Sequence, residues 1–251
     1  MGSGDGTLNQ SSWPHKVDLA AALRLAERFG LSEGISNHFS YALDAAGERF
    51  LLHAFALHWS EVRASDILTV DGEGKALDGD GEVERSAFVI HSRVHRACPR
   101  ARCVLHTHMP YATALSLLED TYLEPVEQNA LRFYDDVAYD SGYAGLAQAI
   151  EEGDRLAHAL GDKRVLFMAN HGVLVVGETI AEAFDDLYYL ERACRVQVLA
   201  RSTGRPFRAI GANLAAATAA SFREPPVSDE PARHFAALKR LLDRDDPSYA
   251  Q

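Results

Sequence analysis

The sequence predicts an α/β fold built on a mixed sheet, and three observations carry that expectation. Short alternating or continuous apolar segments recur between segments with helical spacing. Strand-like segments crowd the first part of the chain, and strands and helices then alternate. Finally, 251 residues with 47% hydrophobic side chains suit a single packed domain of this class.

Taken in order, residues 1–12 are expected to be a disordered lead, because Gly, Ser and polar residues dominate them. From Pro14 to Phe29, the residues Val17, Ala20, Ala21, Leu25 and Phe29 fall close to helical spacing, and Gly30 suits the stop. His38 to Leu43 reads as a strand, Ala45-Ala46-Gly47 as its turn and Glu48 to Phe55 as the returning strand. Asp66 to Leu77 holds two more strands around Asp71-Gly72-Glu73-Gly74. Ser86 to Ala97 is an amphipathic helix that ends before Pro99. Arg102 to His108 is a short apolar strand, and Ala112 to Leu118 is helical. Val137 to Asp140 is a short strand, and Gly145 to Leu160 is a helix stopped by Gly161. Lys163 to Asn170 and Gly172 to Gly177 read as buried strands. Thr179 to Ser202 is a long helix, with Thr179 and Glu182 forming a capping box. The main domain is expected over residues 13–223. Residues 224–251 supply a Pro-rich connector and a last helix, with Phe235, Leu238, Leu241 and Leu242 near one face. That helix docks on its own domain or on a neighbouring subunit.

Charge narrows the function classes. Lys plus Arg is 25 against 36 for Asp plus Glu, a net −11 with histidine neutral. Such a chain, without a basic cluster, is not expected to bind nucleic acid or an anionic membrane. No apolar run reaches the ~18 residues of a transmembrane helix, and Met1 to Gln10 lacks the apolar core of a secretion signal. Cys98, Cys103 and Cys194 show no CxxC spacing, so reduced thiols in a cytoplasmic protein are expected.

The eleven histidines are the distinctive feature. In Leu105-His106-Thr107-His108 the two imidazoles are two residues apart, which on a strand puts them on one face. A third, His171, follows the apolar run Arg164 to Met168, where a strand end would carry ligands, and Gly172 permits close approach. His106, His108 and His171 are thus a candidate metal triad, since catalytic zinc takes three protein ligands and keeps an open position. Spacing alone fits three unrelated histidines equally well.

The stretches GISNHFSYAL, VLHTHMPYATALS and NHGVLVVGETIAEAFDDLYYLERACRVQ resemble the class II aldolase/adducin family in order and spacing. The resemblance runs from about residue 16 to about residue 203. It implies a three-layer α/β/α sandwich with a central, largely antiparallel mixed sheet. It also implies a homotetramer with sites at subunit interfaces. A divalent metal would be held by His106, His108 and His171, zinc first, with manganese, cobalt or iron as alternatives.

Departures from the family pattern bear on the substrate. In the sugar-phosphate aldolases resembled here, a Ser-Ser-Glu precedes the HxH, and its Glu binds metal and moves protons. The matching stretch in this chain is Arg85-Ser86-Ala87, and Glu82 and Glu84 are out of register. The family's Gly-rich phosphate loop is matched by Ser36 to Ser40 and by the bulkier His53 to Trp59, so a non-phosphorylated substrate is expected. Candidate proton carriers are Glu127 and His38. Candidate substrate-binding residues are Asn37, Ser40, His58, Gln128 and Arg132. His53 adds a further imidazole, and Phe55 and Trp59 suit either an apolar pocket or the core.

The function expected is a metal-dependent lyase. It would act on a hydroxy- or keto-acid, or an aromatic acid, by aldol-type cleavage or decarboxylation through a metal-stabilised enolate. Alternatives are a non-enzymatic binding domain of the adducin type, with a cytoskeletal partner such as actin by resemblance, and a non-haem iron oxygenase.

Overall fold

A computed structural model describes residues 5–251, with side chains from Ser12 onward. Its strands are β1 (His38–Ala42), β2 (Arg49–His53), β3 (Ile67–Asp71), β4 (Ala76–Asp78), β5 (Cys103–Thr107), β6 (Val137–Asp140), β7 (Val165–Met168) and β8 (Gly172–Gly177). They form one eight-stranded sheet in the order β4-β3-β2-β1-β5-β8-β7-β6. Neighbouring strands run antiparallel except β6 and β7, which are parallel. The expected α/β/α sandwich with a largely antiparallel mixed sheet is the observed architecture.

The helices are α1 (Asp5–Arg28), α2 (Arg85–Ala97), α3 (Pro110–Ser116), α4 (Ile150–Leu160), α5 (Ile180–Arg201), α6 (Ala212–Phe222) and α7 (Glu230–Asp245). Period-2 alternation splits the sheet into two apolar faces. Phe39, Leu105, Phe167 and Val173 pack with α1, α3, α5 and α7 on one face. Leu52, Val104, Leu166 and Leu174 pack with α2 and α4 on the other. The same alternation turns His38, Ser40 and His106 toward α2.

Several boundaries differ from those expected. Helix α1 already begins at Asp5, taking in most of the expected lead, and Pro14 lies inside it; Met1 to Gly4 lie outside the described residues. Proline removes one backbone hydrogen bond and its ring crowds the carbonyl four residues back, yet α1 continues on both sides of Pro14. Helix α4 begins at Ile150 rather than Gly145, where φ is +88°. Helix α6 was not expected, because its Ala-rich sequence shows no apolar stripe. Thr179 and Glu182 form the reciprocal capping box that starts α5. In α7, Phe235, Leu238 and Leu242 join the same core as α1 and α5. All three cysteines are free and buried, and no described helix is long and apolar enough to cross a membrane.

Helices α2 and α4 cross at Gly153, where an added Cβ would overlap the carbonyl oxygen of Val89 and lie 2.7 Å from Arg93 Cγ. Replacing a helical glycine with alanine gains about 1 kcal/mol of intrinsic propensity, whereas overpacking costs about 1–3 kcal/mol. Gly153→Ala is therefore expected to lower the urea midpoint. A raised midpoint would show that the two helices separate without penalty.

Candidate metal centre and its cleft

Strand β5 delivers His106 from within the sheet and His108 from one residue past its end. His171 comes from the turn between β7 and β8, where Asn170 adopts φ +56°. Because β5 and β8 are bonded neighbours, this turn lies beside the end of β5. A Cβ at Gly172 would sit 2.5 Å from the Thr107 carbonyl oxygen and 2.9 Å from His108 Cδ2, so the close approach does require glycine. One ligand atom from each of the three imidazoles lies within 4.8 Å of the others.

The tautomers are set by neighbouring acceptors. His106 Nδ1 lies 3.0 Å from the Val173 carbonyl oxygen. A carbonyl only accepts, so Nδ1 carries the proton and Nε2 keeps its lone pair. The Glu33 carboxylate accepts from His108 Nδ1 in the same way. The two Nε2 atoms then face each other at 3.1 Å. Nitrogens about 2.0–2.1 Å from a tetrahedral zinc would be separated by about 3.3 Å, so this spacing fits a shared divalent ion. Burial pushes His106 well below the usual imidazole range, aided by His38 and His171. Burial, then His108, pushes His171 down to about 4. Neutral rings are the metal-binding form.

Beside the triad is a small cleft walled by Asn37, His38, His53, Phe55, Glu84 and Ala87. The rings of His38 and His106 are 4.8 Å apart. Asn37 Oδ1 accepts from the His108 backbone N–H at 3.4 Å. The Nδ2 of Asn37 and the Nδ1 of His53 are buried without a hydrogen-bond partner among the described residues. Trp59 Nε1 donates to His53 Nε2 at 3.4 Å; the neutral ring therefore carries its proton on Nδ1. Glu84 caps α2 through the Ala87 N–H at 2.6 Å. Trp59 itself is core, packed on Phe39.

The remaining candidates lie apart from this cluster. Glu127 accepts the N–H groups of Asn129 and Ala130 at 2.9 and 2.7 Å and lines a separate groove with Ala193 and Gln197. Gln128 is exposed. Arg132 donates to the buried carboxylate of Asp185 at 2.8 Å and lies over Tyr189. His58 is half-buried and its Nδ1 pairs with Ser60 Oγ at 2.7 Å. Ser40 lies in the sheet beneath His38, beside His91 and His95 of α2. Sequence reasoning missed Glu33, His91 and His95. The two histidines on α2 had a readable signal, an i, i+4 pair on the face that buries Ala87 and Val94. Glu33 had none, since it meets His108 across 75 residues.

A family model described as Class II Aldolase and Adducin N-terminal domain matches residues 17–198. A Caulobacter vibrioides protein, named provisionally as a class 2 aldolase, is 36% identical over 80% of this chain and 77% of its own. Decarboxylase NovR of Streptomyces niveus is 31% identical over 74% of this chain and 70% of its own. Alpha-adducin of Mus musculus is 34% identical over 91% of this chain, which spans 33% of that protein. Among solved structures, an aldolase II superfamily protein from Pseudomonas syringae has a TM-score of 0.88 at 34% identity, covering 96% of both chains. L-fuculose 1-phosphate aldolase from Glaciozyma antarctica PI12 has a TM-score of 0.85 at 25% identity, covering 100% of this chain and 97% of its own.

His106→Ala is expected to remove most zinc measured by elemental analysis after reconstitution, with far-UV circular dichroism unchanged; full metal retention would exclude this ligand. Acid sensitivity is a second expected outcome. Burial lowers His53 and His95 to about 4, so the unfolded rings take up protons first as pH falls. Each ring contributes about 3 kcal/mol above pH 6.5 that is lost toward pH 4. Asp186 and Glu191, raised by burial to about 6 and about 7, act in the opposite sense. The comparison is therefore with a variant: His95→Gln is expected to flatten the fall in stability between pH 6.5 and 4. Equal slopes would show that His95 protonates without penalty.

Proposed function

The chain belongs to the class II aldolase and adducin family, and from that premise we propose a divalent-metal-dependent lyase acting on a non-phosphorylated acid. The substrate class is a hydroxy- or keto-acid, or an aromatic acid, cleaved by aldol-type scission or decarboxylation. The observation that carries this reading is a metal-competent triad whose His106 ring lies 4.8 Å from that of His38, which walls a cleft with Ala87 and no Lys or Arg in its lining. A phosphate dianion there would meet the Glu84 carboxylate with no Lys or Arg in the lining to offset it. A singly charged carboxylate or a carbonyl oxygen suits the two neutral donors, Asn37 Nδ2 and His53 Nδ1.

A divalent ion held by His106, His108 and His171, zinc first, would polarise a substrate oxygen and offset the negative charge left when the C–C bond breaks. Asn37 and His53 donate hydrogen bonds that orient the acid. His38 is the proton carrier on the cleft wall in place of the carboxylate that Ala87 lacks. In aldol-type scission it takes the hydroxyl proton as the bond breaks and returns a proton to the carbanion carbon. Decarboxylation releases no such hydroxyl proton, so the proton that reaches the carbanion carbon is drawn from water. Phe55 supplies an apolar wall for an aromatic or alkyl substituent. Glu127, Gln128 and Arg132 contribute only to a cleft completed by another subunit of a homotetramer. Exposed Leu118, Leu146, Val196, Leu199 and Leu214 supply apolar surface for such an assembly.

The competing reading, a non-enzymatic binding domain, draws on the likeness to alpha-adducin. One experiment separates them. The zinc-, manganese- or iron-loaded protein is titrated calorimetrically with hydroxy-, keto- and aromatic acids and with sugar phosphates, and products are followed by mass spectrometry. Saturable binding and cleavage of an acid is expected, with turnover lowered about 100-fold in His38→Gln and metal retained. Micromolar binding of a sugar phosphate would overturn the substrate assignment. A fully loaded protein that binds no acid would favour the binding domain.

A further inference from the structure

Behind His38 runs a continuous row of buried polar side chains that the reaction above does not use. The Ala101 carbonyl oxygen lies 2.6 Å from His95 Nδ1, and His95 Nε2 lies 2.7 Å from Ser40 Oγ. Ser40 Oγ also contacts His91 Nδ1, and His91 Nε2 lies 2.8 Å from His38 Nδ1. His38, Ser40, His91 and His95 are each 0–4% exposed, so water does not compete along the row. The row joins β1 to α2 and ends on the carbonyl at residue 101, just before β5.

That carbonyl sets the direction of every bond. It can only accept, so His95 Nδ1 carries a proton, and the neutral ring leaves Nε2 as an acceptor. Ser40 must therefore donate its one proton to His95, which leaves its oxygen to accept from His91 Nδ1. The neutral His91 then presents Nε2 as an acceptor, filled by His38 Nδ1–H. His38 is left with an unprotonated Nε2. Reversing any link would place two lone pairs face to face or require a cationic ring, and burial disfavours both.

We propose that His95, Ser40 and His91 are positioning residues that hold His38 as the Nδ1–H tautomer, so that its Nε2 is the acceptor available to a ligand proton in the cleft. The ordering is one-way, from a backbone carbonyl to a ring nitrogen, and it ends at the carbonyl rather than in solvent. The row therefore orients the base and does not conduct protons out of the site. The idea rests on reading His38 as the proton carrier, but its test needs no turnover and can fail independently of the lyase assignment.

The test is long-range ¹H–¹⁵N correlation NMR on the full zinc-saturated chain with ¹⁵N-labelled histidine. Rings are assigned by the loss of each signal in single His→Gln variants. In the wild type, His38, His91 and His95 are expected to show one protonated Nδ1 and one unprotonated Nε2. Ser40→Ala removes the relay oxygen and is expected to give His91 and His38 a second set of signals with Nε2 protonated. His95→Gln retains an amide donor for Ala101 and an acceptor for Ser40, and is expected to preserve the wild-type pattern at His38. A wild-type His38 protonated on Nε2, needing no variant to observe, would overturn the proposal. So would a Ser40→Ala protein whose His38 and His91 signals match the wild type.

Discussion

The register of β5 between β1 and β8 is the constraint on which the site depends. His106 stands opposite His38 on one side and Leu174 on the other. A slip of one residue would turn His106 into the apolar layer against α5 and bring Leu105 to the cleft. The same pairing places the carbonyl of Val173 beside His106, and with it the proton that leaves Nε2 free. Buried apolar neighbours on both faces make this register strongly specified. The stability of the two cores is thus coupled directly to the geometry of the triad.

Burial gives the second unifying effect. Rings enclosed on the α2 side of the sheet are held neutral, so they coordinate, donate and accept without the repulsion of clustered cations. Their protons are then assigned by fixed acceptors: a backbone carbonyl for His106 and for His95, a carboxylate for His108. The space beside Ala87 belongs to a cleft whose polar lining is amide, imidazole and the Glu84 carboxylate, with His38 against His106. Such a lining, without Lys or Arg, favours a different ligand charge from a cationic cradle.

Much of the framework is readable from local pattern. The capping box at Thr179 and Glu182, the alternation around Phe39 and Tyr41, and the buried runs Val165 to Met168 and Gly172 to Gly177 each rest on near-neighbour physics. Helix α6 was not readable in that way, because an Ala-rich segment has propensity but no stripe to show what it packs on. Glu127 and Arg132 show the reverse situation. Their residue types suit chemistry, and the structure gives each a local partner, a turn for one and buried Asp185 for the other.

What the sequence by itself determined was the set of groups and the periodicity of their carriers: an HxH on a strand and a third histidine at a later strand end. What the tertiary structure alone decided was which nitrogens face inward and which carry protons. That depends on Val173, Glu33, Ala101 and Ser40 meeting the imidazoles at distances near 3 Å or below. In three of these four pairs the partners are more than 50 residues apart along the chain. Hydrogen bonds act over one atomic contact, and the order of residues does not encode such contacts until the sheet has brought the strands together.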